Sequence, residues 1–240
     1  MSFINTKSTL IPNKTRNFIG LKKLIFPKIL DSKISQLMID KESTKFITFA
    51  STAEVMTHMI RDSMEGYPNP PEIGTEEWSK MSLDQRCMCL VMTEMTAGVG
   101  GNVLNFAYHF KYVNAIEIDK LRFEYLNTNL KVYGIHNVNT YHGDSMKLLI
   151  EQNELVQDIV FFDPPWGGKD YKLQNVIRLN FMDQPIEVIC KKLLGKNRIK
   201  MVVIKLPNNY DFTFFDEELK EYKIAKHALD RLTMAIVKSY

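Results

Sequence analysis

An acid, two prolines, a tryptophan and two glycines form the most chemically pointed run in this sequence, Asp163-Pro164-Pro165-Trp166-Gly167-Gly168. It follows directly on Ile159-Val160-Phe161-Phe162, an apolar run of strand length. A strand that ends in acid-Pro-Pro-aromatic suits one task well: methylating an exocyclic amine on a purine, a poor nucleophile because its lone pair is delocalised into the ring. Asp163 and the Pro164 carbonyl can accept the two N–H bonds and favour a tetrahedral, more nucleophilic nitrogen. The prolines fix that carbonyl and remove competing backbone donors, while Trp166 offers a flat face for the base. Catalysis of this kind is positioning and electrostatics, with no covalent intermediate. The bland alternative is a tight turn beside a core tryptophan.

A second run, Glu94-Met95-Thr96-Ala97-Gly98-Val99-Gly100-Gly101-Asn102, follows the apolar stretch Met88–Met92 and opens a helical pattern. Gly98 and Gly100 permit a sharp turn and a close backbone approach to a ligand. Val103 stands where a dinucleotide fingerprint needs its third glycine. Nineteen residues after Gly98 comes Glu117, an acid at a strand end that can accept both ribose hydroxyls of an adenosine. Asp144 follows the next strand and can accept from an adenine N6 amine. Singly, each acid reads as readily as a helix cap or a solvated charge. Together, at successive strand ends beside Asp163, they point to S-adenosylmethionine, with S-adenosylhomocysteine as product and no metal required.

These residues need a scaffold, and the alternation from residue 88 onward supplies one. Strand-like runs at 88–92, 113–118, 138–142, 159–162 and 199–206 alternate with amphipathic stretches at 102–110, 120–133, 145–152 and 185–194. That order predicts an α/β Rossmann-like fold with a mostly parallel sheet. Two last runs, 222–229 and 232–237, predict a C-terminal antiparallel hairpin of the kind found in class I methyltransferases. Residues 1–85 read as a basic arm and small helical extension, a flap over substrate and cofactor, and 86–240 as the catalytic domain. Within the extension, 34–38 is a short amphipathic candidate, Thr52 a helix cap, and 76–86 one helix. The 64–81 segment looks like an insertion.

The 240 residues carry a net charge of +3, unevenly placed. Residues 1–30 hold Lys7, Lys14, Arg16, Lys22, Lys23 and Lys28 and no acid, an arm suited to a polyanion such as RNA or to a solvated tail. Cys87, Cys89 and Cys190 are too few and too unevenly spaced for a zinc site and suit a reducing compartment. No run reaches membrane-spanning length and no secretory pattern opens the chain. A soluble intracellular monomer, cytoplasmic or nuclear and not secreted, is expected.

Over about residues 46–240 the chain resembles the trimethylguanosine synthase family. The resemblance rests on Ser51-Thr52-Ala53-Glu54, Gly98-Val99-Gly100-Gly101-Asn102, the run Asn129–Ile135, Asp163–Gly168 with Asp170-Tyr171, and Leu206-Pro207-Asn208-Asn209. It implies transfer of methyl to N2 of 7-methylguanosine in an RNA cap or cap nucleotide, with Trp166 stacked on the methylated base. N7 methylation makes that base cationic, and a cation over indole gains about 0.5–2 kcal/mol. It also implies Asn129 at the guanine edge, Tyr171 at the cap phosphates, and Thr52 and Phe49 in the flap. Read from the residues alone, Asn129 is equally a polar residue on an exposed helix face, and Tyr171 and Phe49 ordinary aromatics.

Two departures stand out. Glu94 replaces the usual aspartate, and its extra methylene displaces the carboxylate at the cofactor's methionine end. Asn208 replaces a basic residue after Leu-Pro, so that phosphate affinity is either weaker or carried by Lys205 or the arm. Other readings are an adenine-N6 or other nucleobase amino-methyltransferase and a catalytically silent RNA-binding module.

Overall fold

The computed structural model describes residues 15–152, 155–168, 170–196 and 198–240, with side chains from 19 onward. Lys7 and Lys14 of the arm, and the Arg16 side chain, lie outside the described residues. Helices α1 (Thr15–Ile25), α2 (Asp31–Ile34) and α3 (Ala50–Asp62) come first. In α3 the residues Ala53, Met56, Thr57 and Ile60 recur at helical spacing and are all buried. Its N-cap is Phe49, so Thr52 lies inside the first turn and does not cap the helix as expected. The single helix expected at 76–86 is two, α4 (Thr75–Lys80) and α5 (Leu83–Cys87). Ser82 divides them through a capping box: its hydroxyl accepts the Gln85 N–H while the Gln85 side chain accepts the Ser82 N–H.

The α/β portion runs β1 (Val91–Glu94), α6 (Val103–Phe106), β2 (Tyr112–Glu117), α7 (Lys120–Tyr133), β3 (Val138–His142) and β4 (Ile159–Phe162). There follow a two-stranded ribbon of β5 (Asn180–Phe181) and β6 (Gln184–Pro185), then α8 (Ile186–Leu194), β7 (Met201–Pro207), α9 (Phe212–Glu218), β8 (Lys223–Leu229) and β9 (Leu232–Lys238). The main sheet has the order β3-β2-β1-β4-β7-β9-β8. β9 is antiparallel to both its neighbours, and the other pairings are parallel. The first strand sits three residues later than expected because Cys87–Leu90 still turn, with the Leu90 N–H bonded to the Cys87 carbonyl.

Each face of the sheet carries its own core. Along β4 the alternation sends Phe161 to the face where Ile25, Phe26, Met56 and Ile60 pack, so the N-terminal helices share a core with the sheet. Val160 and Phe162 go to the other face, against Ile189, Leu193 and Phe215 of α8 and α9. The 64–81 segment has a structural role. The Tyr67 hydroxyl donates to the Asp158 carbonyl at 2.9 Å and the Trp78 indole donates to the Tyr67 carbonyl at 2.8 Å, closing the amino end of the sheet. The opposite, carboxyl end is thereby left to the site.

Candidate active site

Three adjacent strands, β1, β4 and β7, deliver charged side chains to their carboxyl ends: Glu94, Asp163 and Lys205. Glu94 is buried at 1% exposure, and one carboxylate oxygen accepts from the Asn102 amide at 3.0 Å. Its other oxygen, and the Asn102 side-chain oxygen, have no partner. Burial pushes the Glu94 carboxyl up to about 8, with Asp163 adding to the effect. A buried acceptor with an open oxygen fits the ammonium end of a bound amino acid moiety, as the methionine part of S-adenosylmethionine carries.

The glycine loop follows. Gly98 has a φ of +55°, which a side chain would resist. Its N–H donates to one Glu117 oxygen at 2.7 Å, and the Asp119 N–H donates to the other at 2.8 Å. Glu117 is thus oriented by two backbone donors and retains lone pairs for ribose hydroxyls. Gly100 also has positive φ. At Gly101 a Cβ would come within 2.8 Å of the Ile47 side chain and 3.1 Å of the Thr48 carbonyl, so residues 47–48, in the segment read as a flap, lie directly on the loop. Asp144 caps the wide turn at Lys147–Gln152, one oxygen accepting from the Met146 and Lys147 N–H groups at 2.8 and 3.3 Å. The capping reading of this residue holds, and its second oxygen takes no part in the cap.

At the end of β4 the Asp163 N–H donates to the Thr96 hydroxyl at 2.9 Å. The Asp163 carboxylate pairs with the Lys205 ammonium, which also donates to the Thr48 hydroxyl at 3.1 Å. Burial raises the Asp163 carboxyl above its ordinary range, and Lys205 opposes that rise. Pro164 is buried and Pro165 exposed. Trp166 is half-buried; its indole N–H donates to the Lys205 carbonyl at 3.2 Å, and its ring meets Tyr171 edge-on at 5.2 Å. Tyr171 and Asn208 line an open cleft of about 400 Å³ with Lys172, Gln174, Asn209, Asp230 and Arg231.

Asn129 is not where the resemblance implies. It is fully buried, with both amide hydrogens committed to the Met38 and Val99 carbonyls and its oxygen to the Met38 N–H. No donor remains for a guanine edge, so its place is that of a brace between flap, loop and α7. Nor is it on an exposed helix face. Phe49 is exposed and Thr52 half-buried, both at the start of α3 immediately after the flap residues 47–48. Lys205 corrects a second expectation, because an ammonium sealed against Asp163 is not presented to phosphate. Thr48, Thr96 and Asn102 were not singled out individually in the sequence; Lys205 alone had a signal, one charge inside the wholly buried Met201–Pro207 strand.

No helix among the described residues is long and apolar enough to cross a membrane. Among them, no three His, Cys, Asp or Glu side chains group as metal ligands.

Solved structures place the fold. The chain is similar to the 16S rRNA N2 methyltransferase RsmC of T. thermophilus, in complex with AdoMet and guanosine, at TM-score 0.54 and 14% identity. That match covers 85% of this chain and 44% of RsmC. It is also similar to the N-terminal domain of human METTL16 in complex with SAH, at TM-score 0.56 and 15% identity over 85% of this chain and 76% of that one. In sequence it is 52% identical to an uncharacterized protein of Acanthamoeba polyphaga mimivirus, over 95% of this chain and 89% of that protein. It is 30% identical to the trimethylguanosine synthase of Saccharomyces cerevisiae over 49% of this chain, spanning 38% of the yeast enzyme.

A family model described as RNA cap guanine-N2 methyltransferase matches residues 89–232, more than half of the chain. That stretch contains the glycine loop, Glu117, Asp144, Asp163, Trp166 and Lys205. With the Rossmann-like sheet and its antiparallel hairpin, it identifies an S-adenosylmethionine-dependent methyltransferase, and the chain belongs to the RNA cap guanine-N2 methyltransferase family.

Proposed function

We propose that this protein transfers a methyl group from S-adenosylmethionine to the exocyclic N2 of 7-methylguanosine in an RNA 5′ cap. The products are the 2,7-dimethyl cap and, where the site admits a methylated amine, the 2,2,7-trimethyl cap. The observation that carries this reading is that one residue, Lys205, contacts both Asp163 and Trp166, holding an amine acceptor and a base platform together at the end of β4.

The cofactor supplies an electrophilic methyl on a sulfonium and departs as S-adenosylhomocysteine. The open Glu94 oxygen receives its ammonium, Glu117 its ribose hydroxyls, and the second Asp144 oxygen its adenine amine. Gly98 and Gly100 let the loop backbone approach it, with Thr52 and Phe49 at the flap edge. Asp163 and the Pro164 carbonyl accept the two amine hydrogens and orient the N2 lone pair; as the N2–methyl bond forms and the sulfur–methyl bond breaks, the surplus amine proton passes along its hydrogen bond to Asp163. Trp166 stacks on the base, and the positive charge that N7 methylation creates strengthens the stack, which orders the reactions N7 before N2. Tyr171 takes the cap phosphates, with Lys172 and Arg231 of the adjoining cleft as the cations beside it. Such a substrate places the protein inside the cell, cytoplasmic or nuclear, and a single chain carries every group named.

The test is methyl transfer to bare 7-methyl-GTP, with GTP and an uncapped oligonucleotide alongside. Transfer to 7-methyl-GTP alone supports the cap reading, and product mass distinguishes one methyl from two. Activity confined to the oligonucleotide overturns it in favour of another nucleobase amino-methyltransferase. Silence on all three, with cofactor bound or not, overturns it in favour of an RNA-binding module.

A further inference from the structure

A lysine inside a buried strand is expensive unless its charge is matched. Lys205 is 6% exposed, and its neighbours on β7 are buried as well. Three contacts account for it: the ion pair to Asp163, the hydrogen bond to Thr48, and the approach of the ammonium to 5.5 Å from the Trp166 ring centroid. Thr48 belongs to the flap, 157 residues away in the chain. The lysine therefore joins the proposed amine acceptor to the segment that covers the glycine loop.

We propose that Lys205 is a positioning residue for methyl transfer: its ammonium keeps Asp163 a carboxylate that only accepts hydrogen bonds, and ties that carboxylate to the flap through Thr48. This rests on the amine-accepting role given to Asp163 above. A protonated Asp163 offers a hydroxyl donor to a nitrogen whose two hydrogens need acceptors, and the lone pair is then misdirected. Burial alone favours that protonated form. The facing groups sharpen the point. From β1, Glu94 presents a second carboxyl, itself buried, whose hold on its proton Asp163 and Glu117 strengthen. From the loop, the Thr96 hydroxyl meets only the Asp163 backbone N–H. Among the described residues, Lys205 is the cation in contact with Asp163. Without it, nothing would oppose the effect of burial on the Asp163 carboxyl.

The test follows the Asp163 carboxyl directly, by carbon-13 NMR titration of aspartate-labelled protein, with the signal assigned by Asp163→Asn. In Lys205→Met the titration midpoint should rise by at least about one pH unit relative to wild type, the size expected for removal of an adjacent opposite charge. Lys205→Arg should stay near the wild-type midpoint. The acidic limb of the kcat profile with 7-methyl-GTP should move up by the same amount, so that kcat falls about tenfold at pH values below the wild-type midpoint. S-adenosylmethionine affinity should change less than about threefold, since no cofactor contact is given to Lys205.

An unmoved Asp163 midpoint in Lys205→Met overturns the proposal, and lost activity with that midpoint unmoved assigns Lys205 to packing. If Lys205→Met fails to fold, Lys205→Gln keeps a polar head beside Thr48 and is judged by the same midpoint. A shifted midpoint in a protein that never methylates 7-methyl-GTP would leave the Lys205–Asp163 coupling standing and remove the cap reading instead.

Discussion

Asn129 and Met38 exchange two hydrogen bonds: the Met38 N–H donates to the Asn129 oxygen at 2.7 Å, and the Asn129 amide donates to the Met38 carbonyl at 2.9 Å. Its second amide hydrogen goes to Val99 in the glycine loop at 2.8 Å. One helix side chain thus staples the flap to the loop. Asn129→Ala strands these groups and should lower stability by about 2–4 kcal/mol. Thermal or denaturant unfolding measures it. A normal melting temperature with lost cap binding would return Asn129 to the guanine edge.

Trp166 offers a cleaner separation of roles. Its hydrogen bond to the Lys205 carbonyl fixes the ring, and its partner Tyr171 packs on the edge. Trp166→Phe keeps an aromatic face and loses the indole donor. The preference for 7-methyl-GTP over GTP should then fall by about 2- to 30-fold, the range a cation–π contact covers. Trp166→Ala should abolish transfer while leaving S-adenosylmethionine binding within about threefold of wild type. Parallel loss of cofactor binding would make the residue structural.

Glu94 predicts a proton count. With its carboxyl held up to about 8, most of the cofactor-free protein carries that proton at pH 7. An ammonium arriving at the open oxygen favours the ionised form, so binding should expel close to one proton. Calorimetry in two buffers of different ionisation enthalpy reads that number, and Glu94→Gln should bring it near zero. Equal release by both proteins would remove Glu94 from the cofactor site. The sign for stability is opposite. The folded chain keeps this proton to higher pH than the unfolded chain does, so cofactor-free stability falls from about pH 4.5 to about pH 8. Glu94→Gln should flatten that slope.

The β strands and α7 were legible because period-2 and period-3.6 patterns are local properties of the chain; β3, β4 and α7 fall where the pattern puts them. The place of Asp163-Pro164-Pro165-Trp166 at the end of β4 was legible because two prolines cannot continue the strand ladder. What escaped was set by tertiary contact. Ser82 splits a helix through a capping box, and Thr48 reaches the site only because the flap folds back across 157 residues to Lys205. Asn129 misled for the same reason. Its amide is polar in sequence and spent in structure, and only the fold reveals that its partners are backbone groups of the flap and loop. Ile25 and Phe26, read as part of a loose basic arm, lie in the core beneath α3.

Gly101 should report how firmly the flap must sit. Its φ is ordinary, so a side chain there is not resisted by the backbone but by what lies above it: Ile47 at 2.8 Å and the Thr48 carbonyl at 3.1 Å from a Cβ. The first contact is a side chain that can rotate; the second is backbone and cannot move without lifting the flap. Gly101→Ala should therefore weaken the Thr48–Lys205 hydrogen bond as well as the proposed cover over the cofactor. The expected result is a rise of about tenfold in the S-adenosylmethionine Kd, roughly 1.4 kcal/mol, with unfolding changed less. Thr48→Val removes only the hydroxyl and should lower kcat with little effect on that Kd. If Gly101→Ala leaves both Kd and kcat unchanged, residues 47–48 accommodate the methyl, and the flap does not need to rest on the loop for catalysis.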